Sequence, residues 1–284
     1  MAQFKRIAVI GAGLIGGSIL LAAARRGLAG SLACWSRSES SRATLRAFNV
    51  AEVFESAAEC VKEADLVVVT TPVDTAEATF AAIAPALSPG AVVTDAGSVK
   101  VAILLAARRL PAVNPFIGAH PMAGGEKAGA SHASASLFEK RVCFITPSGQ
   151  DDPRALDRVR TFWKELGSTL TETDAAKHDE IVAAISHLPH AAAAALMLAV
   201  MDQPGFRLEA SGQGLRDATR IAAGEENLWV GILLANARHT AEGLRAVEQR
   251  AAQLRQAIES QDAATLRQLL AEARIARQSL DRNA

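Results

Sequence analysis

The sequence predicts an α/β N-terminal domain of the Rossmann type, with a doubly wound sheet, followed by an all-α C-terminal domain. Three observations support this fold class. A glycine-rich loop follows the first apolar strand, apolar strands alternate with helical segments, and strand patterns stop after Asp174. We therefore place the two domains at residues 1–173 and 174–284.

Short apolar runs mark the predicted strands. They are Phe4–Ile10, Ser31–Trp35, Asp65–Val69, Ala91–Thr94, Phe116–Ala119, Val142–Ile145 and Thr169–Glu172. Helical patterns lie between them, for example at Thr75–Leu87 and Val99–Leu110, and Gly27 suits the end of the first helix. Strands that are apolar at nearly every position are typical of a parallel sheet with helices on both faces.

The composition narrows the class of protein. The 284 residues include 30 Lys+Arg and 30 Asp+Glu, so the formal net charge is zero and no basic surplus is available for nucleic acid. No apolar run approaches the ~20 residues of a membrane span, and the first residues leave no room for a signal peptide. With 3 cysteines that lie far apart, a disulfide framework is not expected. We expect a cytoplasmic protein without a membrane or nucleic-acid partner.

The glycine loop has the G-x-G-x-x-G pattern of dinucleotide-binding domains. On its own this pattern is weak, but here it follows a strand and opens a helix, which is the context that supports it. Gly11 permits the tight turn, Gly13 lets the backbone approach a pyrophosphate, and Gly16 allows helix and strand to pack closely. The loop residues expected to bind the cofactor are Gly11, Ala12, Gly13, Leu14, Ile15 and Gly16.

The end of the second strand favours NADP over NAD. NAD-binding domains usually carry an acidic residue there, which binds the ribose 2′-hydroxyl. This sequence instead has Ser36, Arg37 and Ser38, and a hydroxyl with a guanidinium suits a 2′-phosphate. Glu39 lies one position later and keeps NAD open as the second possibility.

Further polar segments follow other strands, at the sheet edge where ligands of doubly wound folds bind. Thr70, Thr71 and Pro72 follow one strand, and Gly97 and Ser98 follow the next. We expect these residues near the cofactor or the substrate.

His120 lies between a strand and a glycine-rich turn. There a neutral imidazole can accept the proton of an alcohol while hydride leaves the same carbon. A histidine that merely caps the turn is the alternative.

The helical domain holds a second polar set. Ser186-His187-Leu188-Pro189-His190 contains two histidines, but no nearby ligands complete a zinc site, so no metal is expected. Arg220 could bind a substrate carboxylate in a bidentate fork, or it could pair with Asp217 three positions earlier on a helix. A heptad-like series runs from Leu233 to Ile258 and offers a surface for a second subunit, or for packing within one chain.

Together these segments resemble the prephenate and arogenate dehydrogenases. The matching motifs, in the order and spacing of that family, are GAGLIGGS near the start, DAGSVK at 95–100, HPMAGGEKAG at 120–129, SHLPH at 186–190 and GLRDATRIA at 214–222. The resemblance implies an enzyme that oxidises the ring alcohol of prephenate or arogenate with NAD(P)⁺, while the ring carboxylate leaves as CO₂, in tyrosine biosynthesis.

The resemblance also implies roles for individual residues. His120 matches the catalytic histidine, and Ser98 matches the residue that orients the substrate hydroxyl with it. The positions that match substrate-binding residues are Gly125, Glu126, His190, Asp217, Arg220 and Trp229. In the family the tryptophan comes from the neighbouring subunit of a homodimer, so Trp229 is expected to act in trans.

Two other functions remain open from the residues. A β-hydroxyacid dehydrogenase or imine reductase would share the architecture, but the hydroxyacid enzymes use a lysine in the second domain. Lys177 is the only lysine after Lys164, and no glycine-flanked motif surrounds it. A non-catalytic module that senses a nicotinamide cofactor would need the glycine loop but not Ser98 and His120 together.

Overall fold

The computed structural model describes residues 2–124 and 129–282. Within these residues, eight strands form one sheet in the order β3-β2-β1-β4-β5-β6-β7-β8. The strands are β1 (Phe4–Ile10), β2 (Ala29–Trp35), β3 (Glu52–Phe54), β4 (Leu66–Val69), β5 (Val92–Asp95), β6 (Phe116–Pro121), β7 (Val142–Thr146) and β8 (Thr169–Glu172). Every predicted strand forms, and β3 is the strand that the sequence analysis missed.

Helices connect and cover the strands. Those of the first part of the chain are α1 (Leu14–Arg26), α2 (Glu39–Phe48), α3 (Ala57–Cys60), α4 (Ala76–Ile83), α5 (Lys100–Ala106) and α6 (Pro153–Glu165). Those after β8 are α7 (Ala175–Val182), α8 (Leu188–Met201), α9 (Gln213–Thr219), α10 (Glu226–Ala235), α11 (Ala237–Glu259) and α12 (Ala263–Arg282). Short 3₁₀ turns lie at Val73–Thr75, Ala84–Ala86, Ala107–Arg109, Ala130–His132, Leu208–Ala210 and Arg220–Ala223, and a π-helical turn lies at Ala183–His187.

The apolar strands are buried on both faces, as their patterns predict. Along β1, Ile7 and Val9 pack into the core on one face of the sheet, while Ala8 and Ile10 pack into the core on the other. All four side chains are fully buried. Because side chains alternate between the faces of a strand, a strand covered on both faces needs an apolar residue at every position.

The sheet is mixed, which corrects the expectation of a parallel sheet. Strands β1 to β6 are parallel, but β7 runs antiparallel to β6, and β8 is parallel to β7. A parallel pair needs a crossover connection, usually a helix. Between β6 and β7 the described residues contain only a 3₁₀ turn, so the chain returns in the opposite direction.

The heptad-like series from Leu233 to Ile258 is not one continuous helix. Asn236 ends α10 and precedes α11, and its backbone φ of −119° departs from helical geometry. Its side chain is buried and bonds the carbonyl of Asp179, so the break fixes these helices to α7. The predicted seam is therefore divided between two helices, and Ile258 within it remains 61% exposed.

The segment Ala175–Met201 is long and apolar. Here α7, the π-helical turn and α8 form one 27-residue helix, and a window within it has a mean hydropathy of 1.7 with 28% of its residues buried. By length and composition alone this helix could cross a membrane. Sequence analysis missed it because its polar residues, among them His178, His187 and His190, interrupt the apolar run.

Candidate active site

The geometry of the loop explains why glycine stands at its three motif positions. Gly11 has φ +92°, and a Cβ there would lie 2.6 Å from Thr71 Cγ2. A Cβ at Gly16 would lie 2.6 Å from Thr70 Oγ1 and 2.9 Å from Val9 Cγ1, so only glycine allows this contact of α1 with the sheet. At Gly13 a Cβ would meet nothing closer than 3.9 Å, which leaves that side of the loop open to a ligand.

The start of α1 can hold an anion. Its N-cap is Gly13, no side chain caps it, and its first turn carries no acidic residue. The free amide groups and the positive end of the helix dipole therefore face the open side of the loop. These residues fit the pyrophosphate of a dinucleotide cofactor.

One cleft of about 440 Å³ lies beside the loop at the carboxyl ends of the strands. It brings together the segments that follow β4 and β5 with residues of β6 and α10, which are far apart in sequence. The predicted site residues in its lining are Gly11, Gly13, Leu14, Ile15, Thr70, Thr71, Pro72, Gly97, Ser98, His120 and Trp229. Ala12 and Gly16 lie beneath it, where they are buried between α1 and the sheet.

A second cleft of about 440 Å³ continues past the end of β2 and shares Gly11, Gly13, Thr71 and Pro72 with the first. Its lining includes Ser36, Arg37 and Ser38. The two clefts together run along the glycine loop, as an extended dinucleotide would.

The charged groups around the second cleft differ in whether they already have hydrogen-bond partners. The Arg37 guanidinium makes no hydrogen bond or ion pair with the described residues. Glu39, by contrast, accepts hydrogen bonds from Arg42 (2.7 Å to Nη2) and from Arg46 (2.8 Å to Nη1). These guanidiniums lower the pKa of Glu39. The Ser38 hydroxyl accepts from Ser41 N at 3.2 Å and caps α2.

His120 occupies the next-to-last position of β6 and lies in the strand rather than in the turn after it. Its ring is 8% exposed, and its Nδ1 lies 2.9 Å from Nε2 of His178. Burial, His178 and Lys100 hold the pKa of His120 well below its ordinary value of 6.5. The imidazole is therefore neutral at pH 7, as a general base requires.

A buried pair that sequence reasoning missed holds the strand ends together. Lys100 Nζ forms an ion pair with Asp95 and donates a hydrogen bond to Ala119 O at 2.7 Å. Asp95 in turn accepts from the amides of Gly97 (2.8 Å) and Ala119 (3.0 Å). The pair therefore ties the loop that carries Ser98 to the strand that carries His120. A lysine just after a polar loop is the signal that could have indicated it.

The helical domain supplies a second wall. His187 is buried, and Asn236 Nδ2 lies 3.2 Å from its Nδ1. The rings of His190 and Trp229 are stacked. Burial lowers the pKa of His187 to about 4 and lowers that of His190, so both rings are neutral at pH 7. In this wall His187 Nε2 and His190 Nδ1 make no hydrogen bond with the described residues.

Trp229 lines the cleft of its own chain, and its expected contribution to a neighbouring subunit stays a prediction. Helix α10 follows a tight turn at Gly224, where a Cβ would overlap the indole of Trp229 and approach His190 Cε1 to 3.0 Å. Because glycine has no side chain, Gly224 leaves room for the two stacked rings.

Three predicted substrate-binding residues, His190, Asp217 and Arg220, are not part of the cleft lining. Asp217 and Arg220 are exposed and absent from its lining, and Asp217 accepts a hydrogen bond from Gln213 at 2.7 Å. Gly125 and Glu126 lie outside the described residues.

Comparison with known proteins gives one consistent family. A family model described as the prephenate dehydrogenase nucleotide-binding domain matches residues 21–172, and one described as the prephenate dehydrogenase dimerization domain matches residues 174–272. The chain is 34% identical over 287 residues to the cyclohexadienyl dehydrogenase of Zymomonas mobilis, an alignment that covers 99% of this chain and 97% of that protein.

Solved structures agree with the sequence comparison. Prephenate dehydrogenase from A. aeolicus, in complex with hydroxyphenyl propionate and NAD⁺, superposes with a TM-score of 0.89 at 28% identity and covers 97% of this chain and 98% of that one. The arogenate dehydrogenase of Synechocystis superposes with a TM-score of 0.80 at 30% identity and covers 97% of this chain and 100% of that one.

Proposed function

Because this chain belongs to the prephenate dehydrogenase family and is an NAD(P)-dependent dehydrogenase, we propose that it oxidises and decarboxylates prephenate, arogenate or both. The observation that carries this proposal is the placement of His120, a neutral histidine whose ring lies in the cleft beside the glycine loop. A sensing module without turnover would not need that group there, and a hydroxyacid dehydrogenase would need a lysine instead.

In the proposed reaction, His120 Nε2 takes the proton of the ring hydroxyl while the carbonyl bond forms at that carbon. When bound, the nicotinamide accepts the hydride that leaves this carbon. The bond between the ring and its carboxylate then breaks and CO₂ leaves. Its electron pair enters the ring and makes it aromatic, and the carbonyl oxygen, now a phenolate, takes the proton back from His120 Nε2. Lining the same cleft, Ser98 orients the hydroxyl toward His120.

Residues of the helical domain bind the rest of the substrate in this proposal. His190 positions the substrate, with Trp229 stacked on it as a shield from water. Arg220 binds a carboxylate and Asp217 orients Arg220, which requires α9 and the 3₁₀ turn Arg220–Ala223 to approach the cleft when substrate is present. Glu126 and Gly125 contact the substrate in this proposal.

We propose NADP as the preferred cofactor and NAD as the second. Support comes from the second cleft, where Arg37 is without a partner among the described residues and Glu39 is bound by Arg42 and Arg46. A 2′-phosphate would gain a guanidinium ligand, whereas a 2′-hydroxyl would find its acidic partner already occupied. No step of the reaction depends on this choice.

The substrate is tested by assays of NADP⁺ and NAD⁺ reduction with prephenate and with arogenate, and with a 3-hydroxy acid as control. Turnover with prephenate or arogenate, accompanied by release of CO₂, supports the proposal. Turnover with the hydroxy acid alone, or cofactor binding without turnover of any of them, contradicts it.

We also propose that the chain is a cytoplasmic homodimer with the domain division at residues 173 and 174. Support for the dimer comes from the match to a dimerization domain and from apolar side chains exposed on α8 and α10, including Leu198 (64%) and Leu234 (71%). We interpret the apolar helix Ala175–Met201 as part of this subunit contact rather than as a membrane span, because its His190 stacks on Trp229, which lines the cleft.

A further inference from the structure

A row of hydrogen bonds links His120 through His178 to the carboxylate of Asp179, which two backbone amides hold in place. Asp179 is 3% exposed, and its Oδ1 accepts from Lys100 N at 2.7 Å while its Oδ2 accepts from Val101 N at 2.9 Å. Both donors are backbone amides, which cannot accept. Both oxygens of Asp179 therefore act as hydrogen-bond acceptors.

The direction of the next hydrogen bond follows from that carboxylate. His178 Nδ1 lies 2.8 Å from Asp179 Oδ1, so Nδ1 carries the proton and donates it. The ring of His178 is fully buried. Burial, together with Lys100, lowers the pKa of His178 against the opposing effect of Asp179. In the neutral ring with its proton on Nδ1, Nε2 bears a lone pair and must accept.

The same reasoning fixes the proton on His120. Its Nδ1 lies 2.9 Å from Nε2 of His178, and since Nε2 accepts, His120 Nδ1 must donate. A neutral imidazole carries one proton, so His120 Nε2 is left with its lone pair. That nitrogen makes no hydrogen bond with the part of the chain that the structure describes, and the ring lies in the lining of the cleft.

We propose that His178 is a positioning residue that, through Asp179, fixes His120 in the tautomer with its proton on Nδ1 and its lone pair on Nε2. This inference rests on the proposed function only for its catalytic consequence. Without His178, His120 could carry its proton on Nε2, and it would then present a donor where the substrate hydroxyl needs an acceptor.

The hydrogen bonds of His178 and Asp179 also stabilise His120 after it has taken up the substrate proton. After Nε2 takes up the substrate proton, His120 still donates from Nδ1 to His178, and the negative charge of Asp179 lies at the other end of the row. The remaining charged or titratable groups that act on the two rings are Lys100, Asp95 and His187. Phe144 contacts the His178 ring edge-on, with centroids 5.3 Å apart, and holds its plane.

The tautomer can be measured on the unmodified protein. In ¹⁵N-histidine-labelled protein without substrate at pH 7, we expect His120 to show a protonated Nδ1 and an unprotonated Nε2, with assignment from the His120→Asn spectrum. A protonated Nε2 with a bare Nδ1 would overturn the proposal. Because no turnover is needed, this result is independent of the substrate that the enzyme uses.

A matched pair of variants tests the catalytic consequence. His178→Phe keeps an aromatic ring against Phe144 but removes the acceptor, whereas His178→Gln can present an amide oxygen to His120 Nδ1. We expect His178→Phe to lower kcat by about 10²-fold or more, the usual scale of general-base catalysis, with KM changed by less than about 2-fold. His178→Gln should retain a larger part of kcat.

The control is His132→Gln, which replaces an exposed histidine outside the site and should leave kcat unchanged. Wild-type kcat in His178→Phe, or equal losses in the Phe and Gln variants, would contradict the positioning role. If His178→Phe does not fold, the spectra of the wild type and of His178→Gln still decide the tautomer. An enzyme inactive toward prephenate and arogenate would contradict the proposed function alone.

Discussion

Trp229 stacks on His190 within one chain, with ring centroids 3.4 Å apart and ring planes 12° from parallel. Both rings belong to the helical domain, on α10 and α8, and Trp229 also lines the cleft that contains His120. Each chain therefore holds a complete set of these three groups. Mixed dimers can test whether a second subunit also contributes a residue to the site.

We expect no complementation between His120→Asn and Trp229→Ala chains. If each site uses its own tryptophan, every site in a mixed dimer lacks one group, so activity after subunit exchange should equal the mean of the two variants. Contribution in trans would instead give one intact site per mixed dimer. Recovery of activity on mixing, measured by cofactor reduction, would return Trp229 to the neighbouring subunit.

His120→Asn should lower kcat by about 10²–10⁴-fold, since it removes the general base. Cofactor binding, followed by protein fluorescence, should remain. A variant that keeps near-normal kcat would exclude His120 as the base.

The pH profile gives a separate prediction. The base acts in its neutral form, so activity falls as the pH drops through its pKa. Because burial lowers the pKa of His120 below 6.5, the acidic limb of kcat/KM should lie below pH 6.5. The enzyme should therefore be fully active at pH 7. An acidic limb at or above pH 7 would contradict the environment that the structure gives His120.

Replacing Ser36 by Asp and Arg37 by Ala should move the preference from NADP toward NAD. The change removes the proposed phosphate ligand and supplies an acid for the ribose hydroxyl. Ratios of kcat/KM for the two cofactors measure the effect, and Arg108→Ala, which removes an exposed arginine away from both clefts, is the control. A wild-type preference for NAD would show that the interpretation of Ser36 and Arg37 is wrong.

Arg220→Ala should raise KM, because the substrate carboxylate would lose its guanidinium partner. Arg220 is exposed in the free protein, so a loss of about 2–5 kcal/mol is expected only when bound substrate removes the pair from water. Arg220→Lys should recover only part of this loss, since an ammonium group cannot form the planar fork. Arg216→Ala, on the same segment, serves as a comparison. Full recovery with Lys would show that charge alone matters, and an unchanged KM in Arg220→Ala would remove the residue from the site.

Light scattering at micromolar concentration should report twice the 29.7 kDa chain mass. Leu244→Glu with Leu254→Glu follows from the heptad pattern, but both side chains are half-buried within the chain, so this pair would also disturb folding. Leu198→Glu with Leu234→Glu changes side chains that are 64% and 71% exposed, and is the sharper test. A folded, fully active monomer of the wild type would exclude the dimer.

The sequence by itself determined the elements whose causes are local. Strand β1 is apolar at every position from Ile7 to Ile10 because helices cover both faces of the sheet there, so its pattern is visible without a structure. The glycine loop is equally readable, because the backbone at Gly11 and the contact at Gly16 exclude a side chain. His120 could also be singled out from the sequence. It lies near the end of a predicted strand, and in a doubly wound sheet the strand ends meet at the ligand cleft.

Only the tertiary structure decided which distant groups meet. His178 and Asp179 read as ordinary residues at the start of a helix, and their contact with His120 depends on how α7 packs against β6 and α5. Lys100 reads as a surface lysine, yet it is 1% exposed and paired with Asp95. The reversal of β7 and the placement of Trp229 against His190 of the same chain are likewise packing outcomes. The local sequence pattern indicates whether a segment is buried or exposed. Which residues it contacts depends on the free energy of the whole fold.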